Sequence, residues 1–214
     1  MNLKTALIEL HYLPSLEYFC ALQSFETILL EKNEHYVKQS YRNRCYINTA
    51  QGVEMLVVPL TAKHGKVVIK DIRIDRNNKW QNNHWRTIES AYRKAPYFEY
   101  YADELKTILY RNHAFLFDLN FELLSLCLKS IRFNPSLSES ISYEKVPSSL
   151  VFDLRSQISP KKPALERDFY NPVSYYQVFG NGFAPNLSLI DLLFCEGPRA
   201  SSLLLASRKE NLNK

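Results

Sequence analysis

The sequence reads as an α/β protein, with a mixed sheet containing an N-terminal β-α-β unit, an antiparallel meander and packed helices. Three observations predict this. TALIEL (5–10) and TILLEK (27–32) are short apolar runs suited to strands, and between them Leu16, Tyr18, Phe19, Leu22 and Phe25 recur at roughly helical spacing after a turn at Pro14. Strand, helix, strand in that order defaults to parallel pairing through a crossover. Further on, RCYINT, VEMLVVPL and KVVIKDIRID are separated by turn signals at AQG and KHG, which predicts a meander of three antiparallel strands.

Helices follow the sheet. Trp85, Ile88, Ala91, Tyr92 and Ala95 share one face of a helix over 83–95. Pro96 restarts the chain, and Phe98, Tyr101, Leu105, Ile108 and Leu109 repeat the pattern over 97–110. Over 118–132, Phe121, Leu123, Leu124, Leu126, Cys127, Leu128 and Ile131 leave little polar surface, so this helix is expected to be buried on most sides. Residues 133–170 carry Pro135, Pro147, Pro160 and Pro163 among serines, and predict irregular connection with one short strand at LVFDL. The final helix begins at Ser188, a good N-cap, and pauses at Gly197 and Pro198.

Composition bounds the function. A chain of 214 residues with 46% hydrophobic content can bury one sizeable core, so a single domain over 1–214 is expected, and 23% charged residues argue against disorder. Against 22 acidic residues stand 27 basic ones, a net +5 that suits a small anionic or sugar-phosphate substrate and falls short of a nucleic-acid binder. Cys20, Cys45, Cys127 and Cys195 form no C-x-x-C pair, which predicts reduced, buried thiols in place of a disulfide framework or zinc site. The opening MNLKTALIELHYLP is interrupted by Glu9 and His11, and no run of about 18 apolar residues occurs, so a cytoplasmic protein without a signal peptide or membrane span is expected. The absence of P-loop, G-x-G-x-x-G, H-E-x-x-H and G-x-S-x-G patterns argues against an ATPase, a Rossmann dehydrogenase, a zincin and a serine hydrolase. His11, Glu31, His35 and His84 show no metal-ligand spacing, and the sequence identifies no cofactor and no oligomeric state.

The stretch KQSYRNRCYI (38–47) supplies the first candidates. In an extended chain Arg42 and Arg44 would share a face about 6 to 7 Å apart, where two guanidinium forks could grip a phosphate or carboxylate. The competing reading pairs them with Glu31, Glu34 or Asp71. Asn43 and Gln39 would orient the substrate. His11 stands at the carboxyl end of the first strand, where open α/β sheets place ligands, and is a candidate general acid or base. His84, opening a helix, is the second candidate. Tyr12, Tyr92 and Arg93 complete the binding set, in an aromatic-rich middle that suits a sugar or a planar base. His35 ranks behind these, and His64 and His113 read as exposed loop residues.

HYLPSLEYF, KQSYRNRCYI, LVVPL, NHWRTIESAYRKAPYFEYY and NLSLIDLLFCEGP, in this order over nearly the whole chain, resemble the WbqC-like family. The resemblance implies a place in O-antigen or other surface-polysaccharide synthesis and an acyl or aminoacyl (glycyl-type) transferase role. The family's first strand commonly ends in Gln-Pro, with a Trp-Leu-Gly-Tyr-Phe continuation, whereas this chain has His11 for the Gln and Glu17 for the Gly. Two other classes compete with the transferase: an adenylating or nucleotidyl-transferring enzyme, which strong ATP binding would favour, and a non-catalytic interaction protein of a polysaccharide pathway.

Overall fold

The computed structural model describes residues 5–61, 66–77, 79–180 and 182–209. The N-terminal unit forms as the sequence predicts. β1 (Thr5–Glu9) and β2 (Thr27–Glu31) pair in parallel, from Thr5 opposite Thr27 to Glu9 opposite Glu31, with α1 (Leu16–Leu22) between them. A 3-10 turn at Tyr41–Asn43 leads into the hairpin of β3 (Arg44–Thr49) and β4 (Gly52–Val57).

The third strand expected over 66–75 is not formed among the described residues. This segment holds a 3-10 turn at Ile69–Asp71 and single bridges, His35 with Val68 and Leu60 with Ile74. Ile69, Ile72 and Ile74 are instead buried in the core beneath the helices. Period-two patterning reports burial, and the two cannot be told apart here from sequence.

α2 (Trp80–Tyr92), α3 (Phe98–Tyr110) and α4 (Leu116–Ser130) follow, each within two or three residues of expectation. Two short strands come next, β5 (Ser136–Glu139) and β6 (Val151–Asp153), and the chain ends in α5 (Leu189–Glu196) and α6 (Ala200–Ala206). Gly197 joins the last two with φ +53°, and a Cβ there would fall into the Tyr97 ring, so glycine is required for both conformation and space.

The main sheet is parallel throughout, in the order β5-β2-β1-β6. The chain moves outward from β1 to one side, then returns to place β6 on the other, so strand order reverses between β1 and β6. Ala6, Ile8, Ile28 and Leu30 pack with α1, α4 and α6 in one core cluster. The β3-β4 hairpin, α2, α3 and α5 build a second. α4 serves both, with Leu124 and Leu128 in the first and Leu119 and Leu123 in the second, which is why its sequence carries so little polar surface. No described helix is long and apolar enough to cross a membrane.

Candidate functional site

The parallel strands converge on a set of charges at their carboxyl ends. β1 ends in Glu9, β2 in Glu31, and β6 in Asp153, followed by Arg155 and Ser156. The turn at Tyr41–Asn43 inserts Arg42 among them. Its Nε and Nη2 donate to the two Glu34 oxygens at 2.6 and 2.8 Å, Nη2 reaches the Ser156 Oγ at 3.1 Å, and Glu9 Oε1 lies 3.4 Å away. Arg42 is only 1% exposed. A guanidinium so enclosed persists only if its donors are met by charged acceptors, and two carboxylates meet them. Asn120 anchors the turn from α4 by donating to the Arg42 carbonyl at 2.7 Å.

Burial alone would raise the Glu9 carboxyl, but Arg42, His11 and the Ser156 N–H together bring it down to about 2. For Glu34 burial prevails over Arg42, and its pKa is raised. A second arginine closes the other side: Arg155 grips Asp153 through Nε and Nη2 at 2.9 Å, donates to Glu31 at 2.9 Å, and covers the Tyr143 ring.

The sequence candidates divide. His11 stands just beyond the end of β1 as expected, but it is fully enclosed, not turned to a cleft. The Tyr18 and Tyr41 rings cover it at 4.7 and 5.4 Å, its Nε2 lies 3.3 Å from Glu9, and its Nδ1 has no hydrogen-bond partner among the described residues. Burial lowers its pKa against the pull of Glu9. His84 is likewise buried. Its Nδ1 lies 2.8 Å from the Tyr12 hydroxyl, its ring packs on Trp80, and burial pulls its pKa down to about 4. The hydrogen bonds and ring contacts of His84 include neither arginine.

Arg42 and Arg44 do not form a fork. The 3-10 turn breaks the strand alternation on which that expectation rested; Arg42 points into the network, while Arg44 opens β3 and lies 3.6 Å from the Met55 sulfur. The ion-pair reading of Arg42, with Glu34, is the observed one. Asn43 ties the turn down, donating to the Val58 carbonyl and accepting from the Tyr36 hydroxyl, both at 2.9 Å. Gln39 is exposed at φ +56°. The Tyr92 hydroxyl is buried, donating to Asp191 at 2.7 Å and accepting from the Asn48 N–H, whereas Arg93 is exposed just past α2. The structure thus joins His11 to Arg42 through Glu9, and Tyr12 to His84, while Arg44, Gln39, Tyr92 and Arg93 stand apart from both pairs. His35 is exposed, His113 is largely covered beside Glu122, and His64 lies outside the described residues.

All four cysteines are buried free thiols, and burial pushes each pKa up, Cys20 and Cys127 to about 12. None is poised as a nucleophile. No group of three or more His, Cys, Asp or Glu among the described residues is placed to hold a metal ion.

The network reaches solvent at Ser156. Beside β6 and the chain leaving its carboxyl end opens a cavity of about 720 Å³, lined by Ser156, Ser159, Lys161, Lys162, Glu166 and Asp168, with Phe152, Leu154 and Phe169 as its apolar wall. Arg167 staples this segment in place, donating to the Ser159 carbonyl at 3.0 Å and the Lys162 carbonyl at 2.6 Å while pairing with buried Glu17. Among the described residues neither Lys161 nor Lys162 has a carboxylate at ion-pair distance. The sequence reading passed over Glu9, Arg155, Ser156, Lys161 and Lys162. The one available signal was an Arg-Ser pair directly after the LVFDL strand.

The sequence profile of the WbqC-like protein family matches residues 10–166, which begin just after β1 and include the Arg42 turn and most of the cavity lining. The uncharacterized protein Rv1507c of Mycobacterium tuberculosis is 29% identical over 238 residues, covering 96% of this chain and 99% of that protein. No solved structure matches. The chain belongs to the WbqC-like protein family.

Proposed function

We propose that the protein is a cytoplasmic transferase of surface-polysaccharide (O-antigen) synthesis. In this reading it binds a phosphorylated sugar precursor in the 720 Å³ cavity and passes an acyl or aminoacyl group, of the glycyl type, to an amine on it. The observation that carries the reading is that Lys161 and Lys162, which form no ion pair among the described residues, line a cavity with an aromatic wall beside β6, the strand at which the sheet order reverses. Open α/β sheets bind ligands outside the carboxyl ends of their strands at such reversals. Ammonium groups suit phosphate oxygens, and an aromatic wall suits a sugar face or base.

The transfer needs an ester or thioester donor activated elsewhere. The amine nitrogen attacks the acyl carbon, the C–N bond forms as the C–O or C–S bond breaks, and the leaving group departs with the electron pair. The nitrogen's proton passes to a carboxylate. Glu166 and Asp168 line the cavity and can take it, whereas His11 and His84 are sealed from solvent. His11 then acts at one remove, through the Glu9 carboxylate that holds the Ser156 N–H at 2.9 Å.

A direct test incubates the protein with a nucleoside diphosphate amino sugar and a panel of acyl and aminoacyl donors, and reads the sugar's mass. The reading expects an acyl mass gain that falls in Glu166→Gln or Asp168→Asn. No product across the panel would overturn it.

An interaction role has one observation in its favour: Ile141, Val146 and Leu150, within ten residues of chain, are 98%, 83% and 74% exposed. If these residues form an interface between copies, light scattering will show self-association that Ile141→Asp abolishes; a monomer at all concentrations would dismiss that interface.

A further inference from the structure

Ser156 is a non-glycine residue held at φ +57° three residues past the end of β6. Left-handed backbone is disfavoured for serine, and it persists where surrounding structure enforces it. Here the enforcement is visible. The Ser156 N–H is taken by Glu9 Oε2 at 2.9 Å, and its Oγ accepts from Arg42 Nη2 at 3.1 Å. Both partners are almost fully buried and held in turn by Glu34 and His11.

The donor direction settles where the hydroxyl proton goes. A guanidinium only donates, so Arg42 occupies an oxygen lone pair of Ser156 and leaves the O–H as an uncommitted donor. No other described hydrogen bond uses it, and Ser156 is exposed on the cavity. Ser159 repeats the arrangement, with its Oγ accepting from the Lys161 N–H at 3.3 Å and its own proton left free. Two hydroxyl donors and two ammonium groups therefore share one cavity wall.

We infer that the Ser156 hydroxyl, aimed by Arg42, donates to a phosphate oxygen of a diphosphate-bearing ligand, with Ser159, Lys161 and Lys162 as its companions. This rests on the cavity's assignment to a sugar phosphate and deepens it. The buried Glu34, Arg42, Glu9 and His11 network then has a function in presenting one donor, at the cost of a strained backbone.

The strain makes the test selective. Ser156→Gly and Ser156→Ala both remove the hydroxyl, but only glycine relieves the positive φ, so Ser156→Gly is expected to melt about 1 to 4 °C above Ser156→Ala. Thermal denaturation is followed with uridine diphosphate glucose, inorganic pyrophosphate and glucose as probes. The diphosphate probes should raise the melting temperature of the wild type and glucose should not. Each serine variant should lose most of that shift, as should Lys161→Ala/Lys162→Ala. A full shift in both serine variants, with loss in the lysine variant, overturns the role of Ser156 and leaves the cavity assignment standing. No shift in the wild type overturns both. A shift with pyrophosphate alone supports the diphosphate contact and assigns the rest of the ligand to something other than a glucosyl nucleotide.

Discussion

The Arg42 Nε sits 2.6 Å from Glu34 Oε1, with both residues shielded from water at the carboxyl end of a parallel sheet. This pairing converts a guanidinium that the sequence offered as an anion grip into the inner support of a cavity floor. It also sets the energetic consequence of removing either partner.

Arg42→Ala should be among the most damaging single substitutions, because it strands Glu34 and Glu9 without their counter-charge. Breaking a buried pair this way costs about 3 to 5 kcal/mol. For a chain this size the melting temperature should fall by roughly 6 to 20 °C. Arg44→Ala, at the half-exposed start of β3, should cost within about 0.5 kcal/mol. Chemical denaturation of the two variants checks the contrast, and equal effects would contradict the assignment.

Acid should destabilise the fold in two stages. The folded pKa of His84, about 4, lies below the ordinary imidazole value, so the unfolded chain binds protons more readily. The stability this confers is fully present above about pH 6.5 and is lost as pH falls toward 4, with a magnitude of order 3 kcal/mol. His11, lowered by burial, acts in the same direction. Glu9, at about 2, contributes stability present above the ordinary carboxylate value and lost as pH falls from about 4.5 to 2. Glu34, raised, opposes it, favouring the fold at low pH and losing that contribution as pH rises through its folded pKa. Denaturant midpoints from pH 4.5 to 8 should rise with pH in the wild type and rise less steeply in His84→Gln, where only His11 still contributes in this direction.

Tyr12→Phe removes the 2.8 Å partner of a buried His84 nitrogen while preserving ring packing against Trp80. Leaving a buried acceptor or donor unmet costs about 1 to 3 kcal/mol. A double-mutant cycle with His84→Phe should show that the two losses do not add. Additive losses would mean the hydrogen bond contributes nothing.

How much of this was readable from sequence depended on local pattern. β1, α1 and β2 were legible because apolar runs, Pro14 and helical spacing agreed, and α4's burial followed from its lack of a polar face. SLSE gave no sign of β5, since a four-residue polar edge strand is ordered by its neighbour and not by its own side chains. The 3-10 turn at Tyr41–Asn43 was hidden in residues that read equally well as strand. His11's place after β1 was legible; its burial was not, because the covering Tyr18 and Tyr41 rings come from separate elements. The Pro- and Ser-rich stretch after α4, read as connection, carries Arg155, Ser156 and both cavity lysines.

Gly197→Ala should be costly despite the small change, since φ +53° and the Tyr97 ring both exclude a side chain. Where the native φ is positive, alanine is destabilising by more than the roughly 0.4 to 1 kcal/mol that it gains at compatible sites. Thermal melts should show the loss, with α5 and α6 the first segments to exchange amide hydrogens. Wild-type stability in Gly197→Ala would refute the packing.

The central claim is that a phosphorylated sugar binds in the cavity beside β6 and the chain leaving its carboxyl end. A crystal structure of the protein with uridine diphosphate glucose tests it most directly. The account predicts diphosphate oxygens within hydrogen-bond distance of Lys161 or Lys162 and of the Ser156 hydroxyl, with Arg42 still held by Glu34. A diphosphate bound elsewhere, or Arg42 swung out of the network to meet it, would contradict the account.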